Sequence, residues 1–378
     1  MKKIILFIIT SLFLNVQNFM LNAYAEESQN DKISYVLMES ETKTIIDSQN
    51  PDLKVNCGYM SKLMSILIIA EAIETGKFRL DDNLTASSSV TGTKGSIIWL
   101  QQGDTLTADE LLKGLIIGNA NDALTVLAEK SHRSIDEFVS QMNSKAFDLG
   151  LRDSAFTNPY GYYSEKDYST AHDIALISAE LSRYDFLTPY FQTWRDFIKE
   201  GKTELVNENT LSRTFDGHMG FKASHSDNSG YCISEKAIKD DSSYIAVVLG
   251  AEDEYTSFST AKNLINKGFR EYKVTVPGFL DELLLPMKVK EGEETAVEIM
   301  LESQNSIVIP KSASELTNKI VIPDYITAPV KNGQKIGTLA FYNDKTLVFE
   351  TSIITKNEVK KSSLLFTVKK SLSNLLKL

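Results

Sequence analysis

Cysteine is almost missing from this chain of 378 residues: Cys57 and Cys232 are the only two. Two cysteines cannot build a disulfide scaffold and do not have the paired spacing of a zinc site, although an exported chain could still join them to each other. Proline (8) and glycine (19) are too sparse for a collagen-like or low-complexity chain. The four histidines, His132, His172, His218 and His225, fall in no H-E-x-x-H pattern and have no G-x-S-x-G partner. A basic excess is missing too. Lys and Arg number 40 against 50 Asp and Glu, a net charge of -10, which argues against nucleic acid as a partner. Nothing in the chain calls for a metal or an organic cofactor. What is present is near-average apolar (42%) and charged (24%) content, in a length that predicts two or three domains with real cores.

Charge and hydrophobicity are distributed unevenly at the two ends. Lys2 and Lys3, an apolar run from Ile4 to Leu14, and Ala23-Tyr24-Ala25 make a secretory signal peptide over 1–25, with Glu26 as the first mature residue. The alternative, an uncleaved anchor, needs a longer apolar stretch. At the other end, Leu364, Leu365, Val368, Leu372, Leu375 and Leu376 fall within about 120° of a helical projection, opposite Ser, Thr, Asn and Lys. From Lys356 onward there are six Lys and one Glu, whereas the chain without this tail and the two signal lysines carries a net -17. A basic amphipathic helix over 357–378 on an acidic body predicts a peripheral membrane anchor; the other reading is a terminal helix docked on its own domain.

Between the ends, residues 33–50 alternate like a strand hairpin. Helices are predicted over Leu63 to Thr75, from Thr107 behind a capping-box pattern, over Asn119 to Lys130, over Ser134 to Leu149, and over Thr170 to Ser182. Tyr244 to Leu249 is a buried strand. Strands at the ends with helices between them describe a sheet with a helical insertion. After Phe269 the texture changes to short β-rich runs, punctuated by turns at Glu291-Gly292 and Asn332-Gly333, which predicts a separate all-β domain. The domains expected are 1–25, 26–270, 271–356 and 357–378.

Several stretches stand out: SKLMSILIIAEAIETGKFRLDD, GSIIWLQQGDTLTADELLKGLIIGNANDALTVLAE, MNSKAFDLGLRDSAFTNPYGYY, STAHDIALIS, and ITAPVKNGQKIGTLAFYNDKTLVFE near the end. Through them the chain resembles the penicillin-binding D-alanyl-D-alanine carboxypeptidases, low-molecular-mass serine peptidases of bacterial peptidoglycan, almost from Ser34 to the C-terminus. The resemblance implies an α+β fold. A β-lactamase/transpeptidase-like domain, its antiparallel sheet carrying a helical insertion, would be followed by a small all-β domain and the amphipathic helix. It also implies substrates that are stem peptides ending in D-Ala-D-Ala, or, for a non-hydrolytic member, a cell-wall synthesis protein as partner.

The family's chemistry uses S-x-x-K, S-x-N and K-T-G. The first falls here on Tyr59-Met60-Ser61-Lys62, the second on Asn119-Ala120-Asn121, and the third on Lys222-Ala223-Ser224. By this correspondence Lys62, Asn121 and Lys222 are retained, while Tyr59 stands at the nucleophile position and Asn119 at the second serine. Lys222, Ala223 and Ser224 form the substrate-binding strand, on a sheet edge. A tyrosine oxygen reaches several ångströms farther from the backbone than a serine oxygen, and near-attack geometry tolerates errors of about 1 Å. The sequence therefore predicts a silent or severely impaired member. An active member would need a rearranged nucleophile, for which Ser61, Ser65 and Cys57 are the nearby groups. Ser61 does not share the Lys62 face, Ser65 lies a turn further on, and a lone cysteine is usually a small buried hydrophobe. The retained lysines either form a cationic cleft for an anionic peptide terminus or hold the fold as a buried network. His218 and His225 flank the Lys222 strand; one reading has them line the cleft rim, but they are expected to be solvated loop residues.

Overall fold

The computed structural model describes residues 33–279, 284–364, 366 and 368. The expected signal segment and most of the expected anchor helix lie outside the described residues. No helix among the described residues is long and apolar enough to cross a membrane. The chain divides into two compact units, between Phe269 and Arg270.

The first unit is built on one antiparallel sheet of five strands. β1 (Ser34–Glu39) and β2 (Ile45–Gln49) form the N-terminal hairpin, while β3 (His218–Ser226), β4 (Gly230–Lys239) and β5 (Ser242–Ala251) form a meander from the far end of the unit. The spatial order is β2-β1-β5-β4-β3, so β1 lies against β5 and β3 is an edge. Everything between β2 and β3 is the helical insertion.

Its central helix, α1 (Lys62–Glu74), is apolar almost all round and buried along most of its length, as a helix surrounded by others should be. It ends in a Schellman motif: the Lys77 amide donates to the Ala72 carbonyl and the Gly76 amide to that of Ile73, with Gly76 at φ +74°. The capping box read at Thr107 is formed, with Glu110 reciprocating, and opens α2 (Ala108–Ile116). Next come α3 (Asn121–Ser131), α4 (Ile135–Asp148) and α5 (Ala171–Leu181). Met60, Leu63, Leu67, Leu112, Leu127, Phe138 and Ile174 share one core.

Three expectations need correction. The helix read from Asn119 begins at Asn121, because Asn119 adopts φ +56° and Ala120 is the N-cap. His218 is not a solvated loop residue: it lies in β3, is 7% exposed, and its Nδ1 is 2.6 Å from Glu235 Oε1. Burial alone would lower its pKa, but the bond and charge of Glu235, with the Phe191 carbonyl, raise it. His225 does project to solvent, though from β3 rather than a loop, and stacks on Tyr231 at 4.1 Å. Cys57 and Cys232 stand as free, buried thiols.

The second unit is all β after the end of the helix Glu254–Glu271, which is α6 here. It contains a four-stranded sheet of Ile299–Leu301, Thr346–Thr355, Lys335–Asn343 and Thr317–Val321, in that spatial order, with smaller sheets beside it. The turns at Glu291 (φ +59°) and Gly333 (φ +71°) are where they were expected. Its core is Met287, Val289, Val297, Ile299, Leu339, Phe341, Ile353 and Val359. Val359 is the surprise, since it belongs to the segment read as the start of the anchor. It is 2% exposed, and its amide and carbonyl both pair with Val330. Lys361 forms a further bridge with Gly292, and the Ser362 amide donates to Glu291. The β unit thus continues to about Ser362, and the tail proper starts later than 357.

Candidate functional site

Tyr59 lies in a single 3-10 turn, Gly58–Ser61, that feeds directly into α1, so Lys62 follows it by three residues as the first residue of the helix. The loop bearing Gly161 backs this turn. A Cβ on Gly161 would lie 2.6 Å from the Tyr59 Cα, and its φ of +78° is one that only glycine adopts without strain. Tyr59 is half-buried, and its ring face lies 5.3 Å from the Lys62 Nζ. A Cβ on Gly95 would lie 3.9 Å from the Tyr59 hydroxyl, so the phenol reaches across to the loop opposite.

Asn119 organises the centre. Its left-handed backbone turns both of its oxygens toward Lys62, whose Nζ donates to the Asn119 carbonyl and to Asn119 Oδ1, each at 2.7 Å. Lys222, pointing in from edge strand β3, donates to the same Oδ1 at 2.8 Å. Asn119 Nδ2 in turn donates to Glu208 at 3.2 Å. One amide therefore gathers two cations and a carboxylate. Lys62 is 1% and Lys222 8% exposed. Burial holds the Lys62 ammonium well below the ordinary lysine value; the Lys222 charge acts in the same direction, and Glu208 and Asp122 oppose it. Burial lowers Lys222 as well, against Glu208. The space among Lys62, Asn119, Glu208 and Lys222 is about 10 Å³, barely one water.

Asn121 opens α3 with its Nδ2 donating to the Lys94 carbonyl at 2.7 Å, while its Oδ1 is buried with no hydrogen-bond partner. Tyr162 donates to the same carbonyl. The 94–100 loop is held from below by Asp122, whose carboxylate accepts from the amides of Ile98 and Leu100. The candidate nucleophiles are otherwise engaged. Ser61 donates to the Gly58 carbonyl and Ser65 to that of Pro159. Burial pushes the Cys57 thiol up to about 12 and Cys232 to about 11, so neither carries a thiolate near neutrality. Among the described residues no hydroxyl or thiol hydrogen-bonds to the Lys62 ammonium.

Lys62, Asn119 and Lys222 are thus brought into direct contact, Tyr59 covers Lys62, and Asn121 stands beside them on the loop side. Ala223 lines both the small space at the lysines and an adjoining cavity of about 480 Å³, which Ser224 also lines. Sequence reasoning missed Glu208 and Asp122. Glu208 lies in an irregular Asn-Glu-Asn stretch with no motif to mark it. Asp122 had a faint signal, a carboxylate in the first turn of a helix whose other residues are mostly apolar or small.

Comparison with known proteins gives this arrangement a context. The profile of the D-alanyl-D-alanine carboxypeptidase family matches residues 22–253, and that of the penicillin-binding protein 5 C-terminal domain matches residues 281–361. The chain is 31% identical to the D-alanyl-D-alanine carboxypeptidase DacF of Bacillus subtilis (strain 168), over 90% of this chain and 89% of that one. It is 25% identical to DacA of Escherichia coli (strain K12), over 88% and 84%. In structure it is similar to penicillin-binding protein 5 of Haemophilus influenzae, with a TM-score of 0.80 at 24% identity, covering 87% of this chain and 97% of the other. These likenesses bear out the mixed fold and its all-β second part.

Proposed function

The chain belongs to the D-alanyl-D-alanine carboxypeptidase family, and from that premise we propose that it is an exported, membrane-associated member that binds without hydrolysing. Its partners in this reading are peptidoglycan stem peptides ending in D-Ala-D-Ala or a protein of cell-wall synthesis. One observation carries the reading: both hydrogen bonds of Lys62 go to Asn119, and Tyr59 presents a ring face where a serine hydroxyl would have to give up its proton to the lysine. Lys62, its pKa lowered by burial, has no hydroxyl among the described residues within hydrogen-bond reach to deprotonate. Ser61, Ser65 and Cys57 offer no substitute, since each is buried and the two serines bond to backbone carbonyls. The two lysines serve the fold better than a ligand, because both donate to Asn119, which in turn holds Glu208. Export rests on Lys2, Lys3 and Ala23-Tyr24-Ala25, and membrane association on the apolar stripe of the tail.

The test is to incubate the mature chain with excess labelled penicillin and weigh it intact. No adduct is expected. A stoichiometric mass increase mapping to Tyr59, Ser61 or Cys57 would refute the reading.

A further inference from the structure

Residues 91–97 read Thr-Gly-Thr-Lys-Gly-Ser-Ile, a small and polar stretch with two glycines, stretched between two buried anchors. Val90 holds one end in the core; Ile98 holds the other and is fixed further through its amide on Asp122. Between them Thr91, Gly92, Lys94, Gly95 and Ser96 are exposed, and Thr93 and Ile97 are half-buried, so little apolar surface holds the segment down. Gly92 and Gly95 both take left-handed backbone, at φ +85° and +77°. No atom lies within 4 Å of a Cβ built on Gly92, which leaves room for the chain to turn there. A Cβ on Gly95, in contrast, would lie 3.0 Å from Asn121 Nδ2 and 3.9 Å from the Tyr59 hydroxyl. The segment thus lies down over Asn121 and Tyr59, so closely that a side chain at 95 would push it away.

One peptide unit does most of the holding. The Lys94 carbonyl accepts from Asn121 Nδ2 at 2.7 Å and from the Tyr162 hydroxyl at 2.8 Å. The Lys94 amide donates back to the same hydroxyl at 3.0 Å. The Ser96 carbonyl adds a bond from the Asn121 amide at 2.8 Å. Tyr162 is placed without help from the segment, since its ring stacks on Tyr160 at 4.9 Å and its amide donates to Asn158 Oδ1 at 3.0 Å. A main-chain carbonyl resting on the side-chain amide of a buried asparagine is the contact a bound peptide would make, and here the chain makes it to itself.

We infer that residues 91–97 are a self-inhibitory strap over the cleft. The Lys94 carbonyl occupies Asn121 in place of a ligand's carbonyl, the Tyr162 hydroxyl is the latch, and Gly92 and Gly95 are the hinges. A ligand must first displace the strap, so its measured affinity is the intrinsic one reduced by the fraction of chains that are open. That the displacing ligand is a peptide rests on the binding reading above; the closure itself does not.

Two variants of the full chain open the strap in different ways. Tyr162→Phe removes the latch hydroxyl and keeps the ring on Tyr160, so the melting temperature should not change. Gly95→Ala wedges a methyl group against Asn121 from an exposed position. Acetylation by N-acetylimidazole, mapped by mass spectrometry, reads how far the Tyr59 hydroxyl is uncovered, with the exposed Tyr255 as internal reference. Both variants are expected to label Tyr59 about tenfold faster than the unaltered chain and to exchange amide hydrogens faster over 91–97, with exchange in α1 unchanged. In calorimetric titration, Tyr162→Phe is expected to bind acetyl-D-alanyl-D-alanine about tenfold more tightly than the unaltered chain. Faster labelling with no dipeptide bound by any form would uphold the strap and refute the peptide-binding reading. Unchanged Tyr59 labelling in both variants, or equal dipeptide affinity with and without the Tyr162 hydroxyl, would overturn the inference.

Discussion

At the scale of single residues, the site differs from a working serine peptidase in three hydroxyls and one glycine, and those losses are coupled through Asn119. Replacing Tyr59 by Ser returns a hydroxyl three residues before Lys62 and opens the space now filled by the ring. It does not free Lys62, which still donates to both oxygens of Asn119. Nor does it give the leaving group a proton donor, since an amide at 119 is neither acid nor base near neutral pH. Ala223 offers no hydroxyl to a substrate, and Ser224 places a side chain where the family has glycine. Each missing contact is worth about 2–4 kcal/mol in the transition state, or roughly one and a half to three orders of magnitude in rate. Tyr59→Ser alone is therefore expected to release D-alanine from an acyl-D-Ala-D-Ala peptide at a rate at least about 10³-fold below the combined Tyr59→Ser, Asn119→Ser, Ala223→Thr, Ser224→Gly variant. The combined variant carries its own strain, about 1–2 kcal/mol, because serine must take up the φ of +56° that suits asparagine better. Comparable rates for the single and combined variants would mean that the decay is confined to position 59.

At the scale of elements, the decisive feature is how closely the Gly161 loop backs the 3-10 turn of Tyr59. Gly161→Ala forces a Cβ to 2.6 Å from the Tyr59 Cα at a φ of +78°, and should lower the unfolding free energy by about 2–5 kcal/mol. Gly150 offers the control. Its φ is +72° but no atom lies within 4 Å of a Cβ built there, so Gly150→Ala should cost only about 1 kcal/mol of backbone strain. Urea denaturation of the two variants checks this, and equal losses would show that the contact with Tyr59 is slack. The elements themselves were largely legible in the sequence. The capping box at Thr107, the hairpin over 33–50 and the apolar α1 are local patterns, written within a few turns of chain. What could not be read is non-local. His218 looks like a loop residue until Glu235, across the β3–β4 pair, gives it a buried partner. Asn119 looks helical until Lys62 and Lys222, 57 and 103 residues away, claim its oxygens. The motif positions were visible because the family spacing survives, whereas Glu208 has no pattern and emerges only through contact with Asn119.

At the scale of the whole molecule, the question is where the body stops and the basic tail begins. Half of the tail's lysines belong to the β unit. Lys356 lies 3.7 Å from Glu298 and Lys361 3.0 Å from Glu291, while the Lys360 carbonyl accepts from the Glu293 amide. Surface ion pairs of this kind contribute little to stability, so what fixes the segment is Val359, buried in the core and paired on both sides with Val330. Burying a valine is worth about 1.5–3 kcal/mol, and the bridging strand goes with it. A chain ending at Thr355 should therefore lose cooperative unfolding of the β unit and become protease-sensitive after Phe269. A chain ending at Ser363 keeps the whole core and removes only the apolar stripe with Lys369, Lys370 and Lys377. Three lysines contribute about 1 kcal/mol each at an anionic surface, too little to hold the chain without the leucines. The chain ending at Ser363 is expected to keep the melting profile of the full protein and to stay in the supernatant when sedimented with anionic lipid vesicles, while the full chain pellets. The full chain should remain partly bound at high salt, because the apolar part of the interaction is not screened. If the chain ending at Ser363 still pellets, the membrane contact lies in the folded units rather than in the tail.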